Sequence, residues 1–174
     1  DDVTGSRAWA RALARAGLLS AEDAAALDAA LADLLELGRS DPGFVNGPDE
    51  DVHSFVERLL VERLGDAGRR LHTGRSRNEQ VSVDLRLYLR RRIPLLQEGL
   101  RRVVEALASG ASSAGDALMP AFTHFRPAQP VLVAHFFLAH AAAVRRDFER
   151  FETARREADA LTLELGEAAG RIEL

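Results

Sequence analysis

VSVDLRLYLRRRIPLLQEGLRRVVEAL, residues 81–107, decides the fold class. Val81, Leu85, Leu89, Ile93, Leu96, Leu100, Val103 and Leu107 recur at three- and four-residue intervals. That is the period of one face of an α-helix. At 3.6 residues per turn the stripe lasts roughly seven turns, the length of a bundle helix. Pro94 falls inside it. Its missing amide leaves the Arg90 carbonyl without a partner, so a kink is expected there.

Upstream, Ser6–Ala16 is rich in Ala and Arg, both good helix formers, and Gly17 suits a helix stop. Ser20 stands three residues before Asp23, an N-cap pattern, and the Ala-Leu run it opens ends near Gly38. The Pro- and Gly-bearing stretch 40–48 reads as a loop. Val52, Phe55, Val56, Leu59, Leu60 and Leu64 form one apolar face of a helix over about 50–64, stopped by Gly65. Residues 65–78 hold three glycines among polar groups and read as a loop. Downstream, 109–115 is a small-residue break, and 119–130, with three prolines, is expected to be irregular. Pro130 is expected to open the next helix, where its missing N–H costs nothing. The first half of that helix is apolar nearly all round, as in a helix buried between others. No stretch alternates long enough to argue for a strand. The expectation is an all-α, long-helix bundle. Residues 1–78 would form an amino-terminal helical domain, and 79–174 the start of the central long-helix bundle domain.

Composition narrows the functional classes. The 174 residues carry a formal net charge of −4 and no block of basic residues, so a nucleic-acid surface has no electrostatic support. All 23 basic side chains are Arg, and there is no Lys. The absence of Cys excludes disulfides and thiolate zinc sites, and permits a reducing cytoplasm. The start is not a signal peptide, and the longest apolar run, 130–144, is too short to span a bilayer.

Two segments break the helical pattern. The first is Leu71-His72-Thr73-Gly74-Arg75-Ser76-Arg77-Asn78-Glu79-Gln80, just ahead of the long helix. Arginines and amides at a helix amino terminus suit a substrate with several carboxylates. A capped helix start with solvated arginines accounts for the same residues. The second is Thr123-His124-Phe125-Arg126-Pro127-Ala128-Gln129-Pro130. Its His124 is either a general acid or base with a neighbouring hydroxyl, or a loop histidine bonded to backbone. The acidic cluster Asp49-Glu50-Asp51-Val52-His53 is explained by the helix dipole alone. His135 and His140, at i and i+5, do not share a face as a zinc pair would, and read as core or groove histidines.

Taken together, these clusters resemble argininosuccinate lyases of the fumarase/aspartase superfamily. Asp49–His53, Gly65, Gly68 and Leu71–Asn78, continuing through Val81–Tyr88, resemble that family's first signature region. Met119-Pro120-Ala121-Phe122-Thr123-His124 with Ala128-Gln129-Pro130 resembles the second. The likeness covers about 3–163. It implies an enzyme that eliminates fumarate from argininosuccinate to release arginine, as a step in arginine biosynthesis. It also implies no metal or organic cofactor, a cytoplasmic homotetramer, and active sites shared between subunits. By the same resemblance His124 is the catalytic histidine. Arg77 and Asn78 bind substrate carboxylate, Thr123 makes a second substrate contact, Ser76 and His53 line the site, and Asp51 supports that wall.

The sequence departs from the family at several points. Glu79 replaces the usual Asp, and Phe125-Arg126-Pro127 replaces a Leu-Gln-Pro type of string. Residues 164–170 replace a glycine-rich turn. The family's amino-terminal substrate-binding serine is not among these residues, and neither is its third signature loop, which carries the base serine and a lysine. The 174 residues alone are therefore expected to show no turnover. Two other readings are a non-catalytic scaffold of crystallin type and another fumarate-releasing lyase of the superfamily.

Overall fold

In the computed structural model, the described residues are 1–159 and the short strands β3 (Thr162–Glu164) and β4 (Arg171–Glu173), which pair antiparallel. The stretch 165–170, where the sequence leaves the family's glycine-rich pattern, lies outside the described residues. The chain forms two compact units, Asp1–Tyr88 with Leu161–Leu174, and Leu89–Ala160. The division between Tyr88 and Leu89 falls inside helix α5 (Arg77–Ala114).

The first unit is built on α1 (Asp2–Arg15), α2 (Ala21–Ser40) and α3 (Val52–Leu64). Local signals set their ends. The Ser20 hydroxyl accepts the Asp23 amide at 3.0 Å, and Asp51 Oδ1 accepts the Ser54 amide at 2.7 Å; both satisfy amides that a helix start leaves open. Gly17 takes a φ of +73°, the left-handed stop expected after α1. A 3-10 turn (Pro42–Val45) occupies part of the loop after α2.

The apolar stripes meet in one core. Trp9 and Leu13 of α1, Leu27 and Leu31 of α2, and Leu60 of α3 are fully buried. Phe55 and Val56 join them, with Leu59 and Leu64 packed at the edge. Val52, grouped with that face by its spacing, is instead exposed; it is the first residue of α3, beside the cap and away from the core.

The loop expected over 65–78 contains a short helix, α4 (Asp66–Arg70). Gly68 allows it. A Cβ there would lie 2.5 Å from the Leu60 carbonyl oxygen, so α4 meets α3 backbone to backbone. The stripe of α5 also turns out differently from its expected face in this unit. Gln80 and Val83 are buried and Leu87 packs on the core, while Val81 and Leu85 stay half exposed. The 81–85–89 spacing marks a second apolar side of the helix.

The second unit holds the rest of α5, a β-hairpin of β1 (Leu118–Thr123) and β2 (Arg126–Leu132), and α6 (Val133–Asp159). The helix passes through Pro94 and continues across the expected break to Ala114. There the small residues serve packing, since the Phe137 ring sits 3.4 Å from where a Gly110 Cβ would be. Gln97 donates to Glu152 at 3.2 Å, and Arg90 pairs with Asp159 at 3.2 Å, so α5 and α6 run antiparallel.

The hairpin corrects the expectation of irregular chain over 119–130. The prolines that suggested irregularity hold φ in the extended range, and so does the restriction each places on the residue before it. In a two-stranded ribbon every strand is an edge, so a missing amide is tolerated. Pro120 faces Pro130, with a register shift between Pro120 and Phe122. Consequently α6 begins at Val133, whose amide donates to the Ala117 carbonyl at 2.9 Å, and not at Pro130.

The apolar first half of α6 was expected to be buried on all sides. Within this chain Phe136 and Leu138 remain half exposed, because the unit offers one neighbouring helix and that covers one side. Gly68→Ala should destabilise the first unit by about 1–3 kcal/mol, the usual cost of forcing an added methyl into packed atoms; urea denaturation followed by circular dichroism measures it.

Candidate functional site

The segment 71–80 is positioned by capping and by burial. The Glu79 carboxylate reaches back to the Ser76 amide at 3.4 Å, the return half of a capping box. Glu in place of the family's Asp therefore suits this helix start, since Glu is a favoured residue for that return bond.

The two arginines of Arg75-Ser76-Arg77 have different surroundings. Arg75 is buried under α1, where its Nη1 donates to Ser6 Oγ at 2.9 Å and its guanidinium lies 6.0 Å from the Trp9 ring centre. Burial pushes its pKa below the ordinary arginine value, against the pull of Asp2 and Asp84. Arg77 is about one-third exposed and pairs loosely with Glu57 at 3.3 Å and Gln80 at 3.1 Å. Pairs this exposed contribute about 1 kcal/mol or less, so a substrate carboxylate could displace Glu57. Asn78 and Ser76 are exposed at the amino end of α5.

Beneath them lies a buried charge cluster. His53 Nδ1 bonds Asp2 Oδ1 at 2.8 Å and stands 3.8 Å from Asp84 Oδ2. The Gln80 amide also donates to Asp2 Oδ1. Asp2 Oδ2, Asp84 Oδ1, and Arg75 Nε and Nη2 are buried without hydrogen-bond partners among the described residues. Burial, with the Asp2 charge nearby, raises the Asp84 carboxyl to about 6. Asp2, His53 and Asp84 place ligand-type atoms within 4.8 Å of one another, a spacing open to a cation. Arg75, on which both carboxylates act, already supplies positive charge there. The donor set fits an ion network better than a metal centre.

A cleft opens over this cluster, lined by Asp2, His53, Glu57, His72, Arg77 and Gln80. Its solvent space of about 20 Å³ suits a water molecule and falls far below the roughly 300 Å³ a small-molecule site occupies. This cleft alone is too small for a substrate.

The seven sequence-predicted residues therefore divide. Asp51, His53, Ser76, Arg77 and Asn78 lie in the first unit, where His53 and Arg77 share the cleft. Asp51 acts there as the α3 cap, and its bond from the Ser54 amide holds its carboxyl below the usual carboxylate range. Thr123 and His124 stand on the hairpin of the second unit. His124 and Phe125 form its two-residue turn, with φ of +49° and +60°. Left-handed backbone at both positions is what a type I′ turn demands, and Asn-Gly usually supplies it. A histidine and a phenylalanine held there are strained, a condition that clusters at functional sites. Sequence reasoning missed Asp2, Ser6 and Asp84, which converge from α1 and α5, and gave Gln80 no role of its own within segment 71–80.

A family model described as Lyase matches residues 1–172. The chain belongs to that lyase family. The argininosuccinate lyase of Alteromonas mediterranea is 41% identical over 172 residues, covering 97% of this chain and 37% of that protein. The argininosuccinate lyase of Desulforudis audaxviator is 42% identical over 171 residues, covering 98% and 37%. This chain thus spans a little over a third of the length of these curated relatives. Among solved structures, a fumarate lyase from Mesorhizobium sp. BNC1 superposes with a TM-score of 0.76 at 25% identity, over 97% of this chain and 41% of that one. An EDDS lyase in complex with formate superposes with a TM-score of 0.76 at 24% identity, over 91% and 31%, a likeness of fold alone.

Within this lyase-family chain, Asp51→Ala should cost about 1 kcal/mol through loss of the helix cap, and Asp51→Ser should restore most of it; paired thermal melts check this.

Proposed function

We propose that this chain is part of an argininosuccinate lyase, which eliminates fumarate from argininosuccinate and releases arginine. The observation that carries this reading is the 41–42% identity to two argininosuccinate lyases across 97–98% of the chain. The segment Leu71–Gln80 supports it by offering an exposed amide and a displaceable guanidinium at a helix amino terminus.

The chemistry assigns a task to each group. A base takes the proton from the carbon beside a carboxylate, the charge moves into that carboxylate, and the guanidino nitrogen leaves with a proton. Charge developing on the carboxylate needs donors already in place. Arg77 supplies a bidentate guanidinium, Asn78 an amide, and the first turn of α5 its unpaired N–H groups and dipole. Thr123 contacts substrate beside His124, and His124 moves the proton of the leaving nitrogen or orients its transfer. Ser76 and His53 line the site, and Asp51 steadies the wall by capping α3. The base lies in a further segment of the full-length protein. The reaction calls for no metal or organic cofactor.

The full-length protein works as a cytoplasmic homotetramer with sites shared between subunits. Support comes from the second unit. Among its described residues the buried apolar side chains are Ile93, Ala111, Ala141 and Ala158, while Leu95, Leu96, Val103, Phe122, Phe136 and Leu138 are 46–63% exposed. Exposed apolar side chains in this number support association.

Fumarate release from argininosuccinate, followed by ultraviolet absorbance, tests the activity. The full-length protein is expected to turn over, and His124→Asn to lower kcat by about 10²–10⁴ with the tetramer intact by light scattering. A full-length protein that folds, assembles and releases no fumarate contradicts the reading.

A further inference from the structure

We propose that Asp84 and Asp2 are positioning residues for this reaction, holding His53 and Arg75 in one buried charge cluster that fixes the carboxylate-binding segment 76–78. The inference rests on the lyase reading above and adds residues to it.

Four elements meet at the cluster. α1 contributes Asp2 and Ser6, α3 contributes His53, the loop contributes Arg75, and α5 contributes Gln80 and Asp84. An ionised carboxylate only accepts hydrogen bonds, so His53 Nδ1 donates to Asp2 and the ring's free nitrogen is Nε2. Asp84, 3.8 Å from the same Nδ1, reinforces that tautomer electrostatically. Arg75 is fixed from below by Ser6 and stands two residues from Arg77 and three from Asn78. The segment that meets substrate is thus tied to α1 at Arg75 and at Gln80, whose amide bonds Asp2. The charged side chains acting on Asp84 are Asp2 from α1, His53 from α3, and Arg75 from the loop.

Burial and the neighbouring Asp2 charge disfavour the ionised form of Asp84. Its folded pKa of about 6 lies above the ordinary aspartate value of 3.8. Stability is therefore full while both states are protonated and is lost as pH rises from about 4 to about 6. The fold bears an ionised Asp84 at neutral pH at some cost, as residues retained for function often do.

The test is Asp84→Asn in the full-length protein, an isosteric change that removes only the charge. It is expected to melt at or above the wild-type temperature at pH 8, with the difference closing below about pH 4. KM for argininosuccinate is expected to rise about tenfold and kcat to fall as well, because Arg77 and Asn78 hold the carboxylate in the ground state and meet its developing charge in the transition state. Wild-type KM should also rise as pH falls through about 6, and the variant should lack that limb. Ser6→Ala, which frees Arg75 without altering any charge, is the second arm and should raise KM in the same direction. Variants that keep wild-type KM across the pH range while the wild type turns over overturn this inference alone. So does an Asp84→Asn protein that melts lower at pH 8. Absence of turnover in the wild type overturns the lyase reading and this inference with it.

Discussion

The Asp2–His53 hydrogen bond is the constraint on which the amino-terminal unit depends. The first turn of α1 buries a carboxylate, a glycine and a hydroxyl where an ordinary amphipathic helix would bury leucines. A carboxylate taken out of water is costly unless it is paired and hydrogen-bonded. The partners come from distant parts of the sequence: an imidazole from α3, a carboxamide from α5, and a guanidinium nearby. Satisfying Asp2 therefore requires α1, α3 and the start of α5 to be in register. That register also sets where Arg77 and Asn78 emerge.

The same cluster gives two arginines that stand two residues apart different surroundings. Arg75 is sequestered against Ser6 and Trp9, and moving it would leave buried carboxylates uncompensated. Arg77 is held by partly exposed neighbours that are cheap to exchange. Residue type alone does not rank the two as carboxylate binders; burial separates them. On the hairpin, the left-handed backbone at His124 and Phe125 shows a comparable division. The strain is local, while the ladder of paired residues that over-determines it runs back to Leu118 and Leu132.

What was legible in the sequence was what is locally encoded. The cap at Ser20, the stop at Gly17, and the Phe55–Val56–Leu60 face are each set by residues within a turn of one another. The hairpin was not legible, because three prolines in a dozen residues signal a break in helix equally for a loop and for an extended ribbon. The buried side of α5 was misread for a different reason. Val81 and Leu85 carry the apolar period, but the first unit takes up Gln80, Val83 and Leu87, and a helix apolar on two sides gives no sign of which side its own chain will cover. The Asp2–His53–Asp84 cluster had no signature at all. It joins residues from opposite ends of the unit, and each alone looks like a surface or capping group. Of the candidate site, the residues are proposed through family resemblance, and the supporting network came only from the fold.

A crystal structure of the full-length protein with fumarate bound would examine the division between the arginines most directly. The expected result is a fumarate carboxylate on the Arg77 guanidinium and the Asn78 amide at the start of α5, with Arg75 still on Ser6 and His53 still on Asp2. Fumarate bound through Arg75, or seated away from residues 76–78, would contradict it.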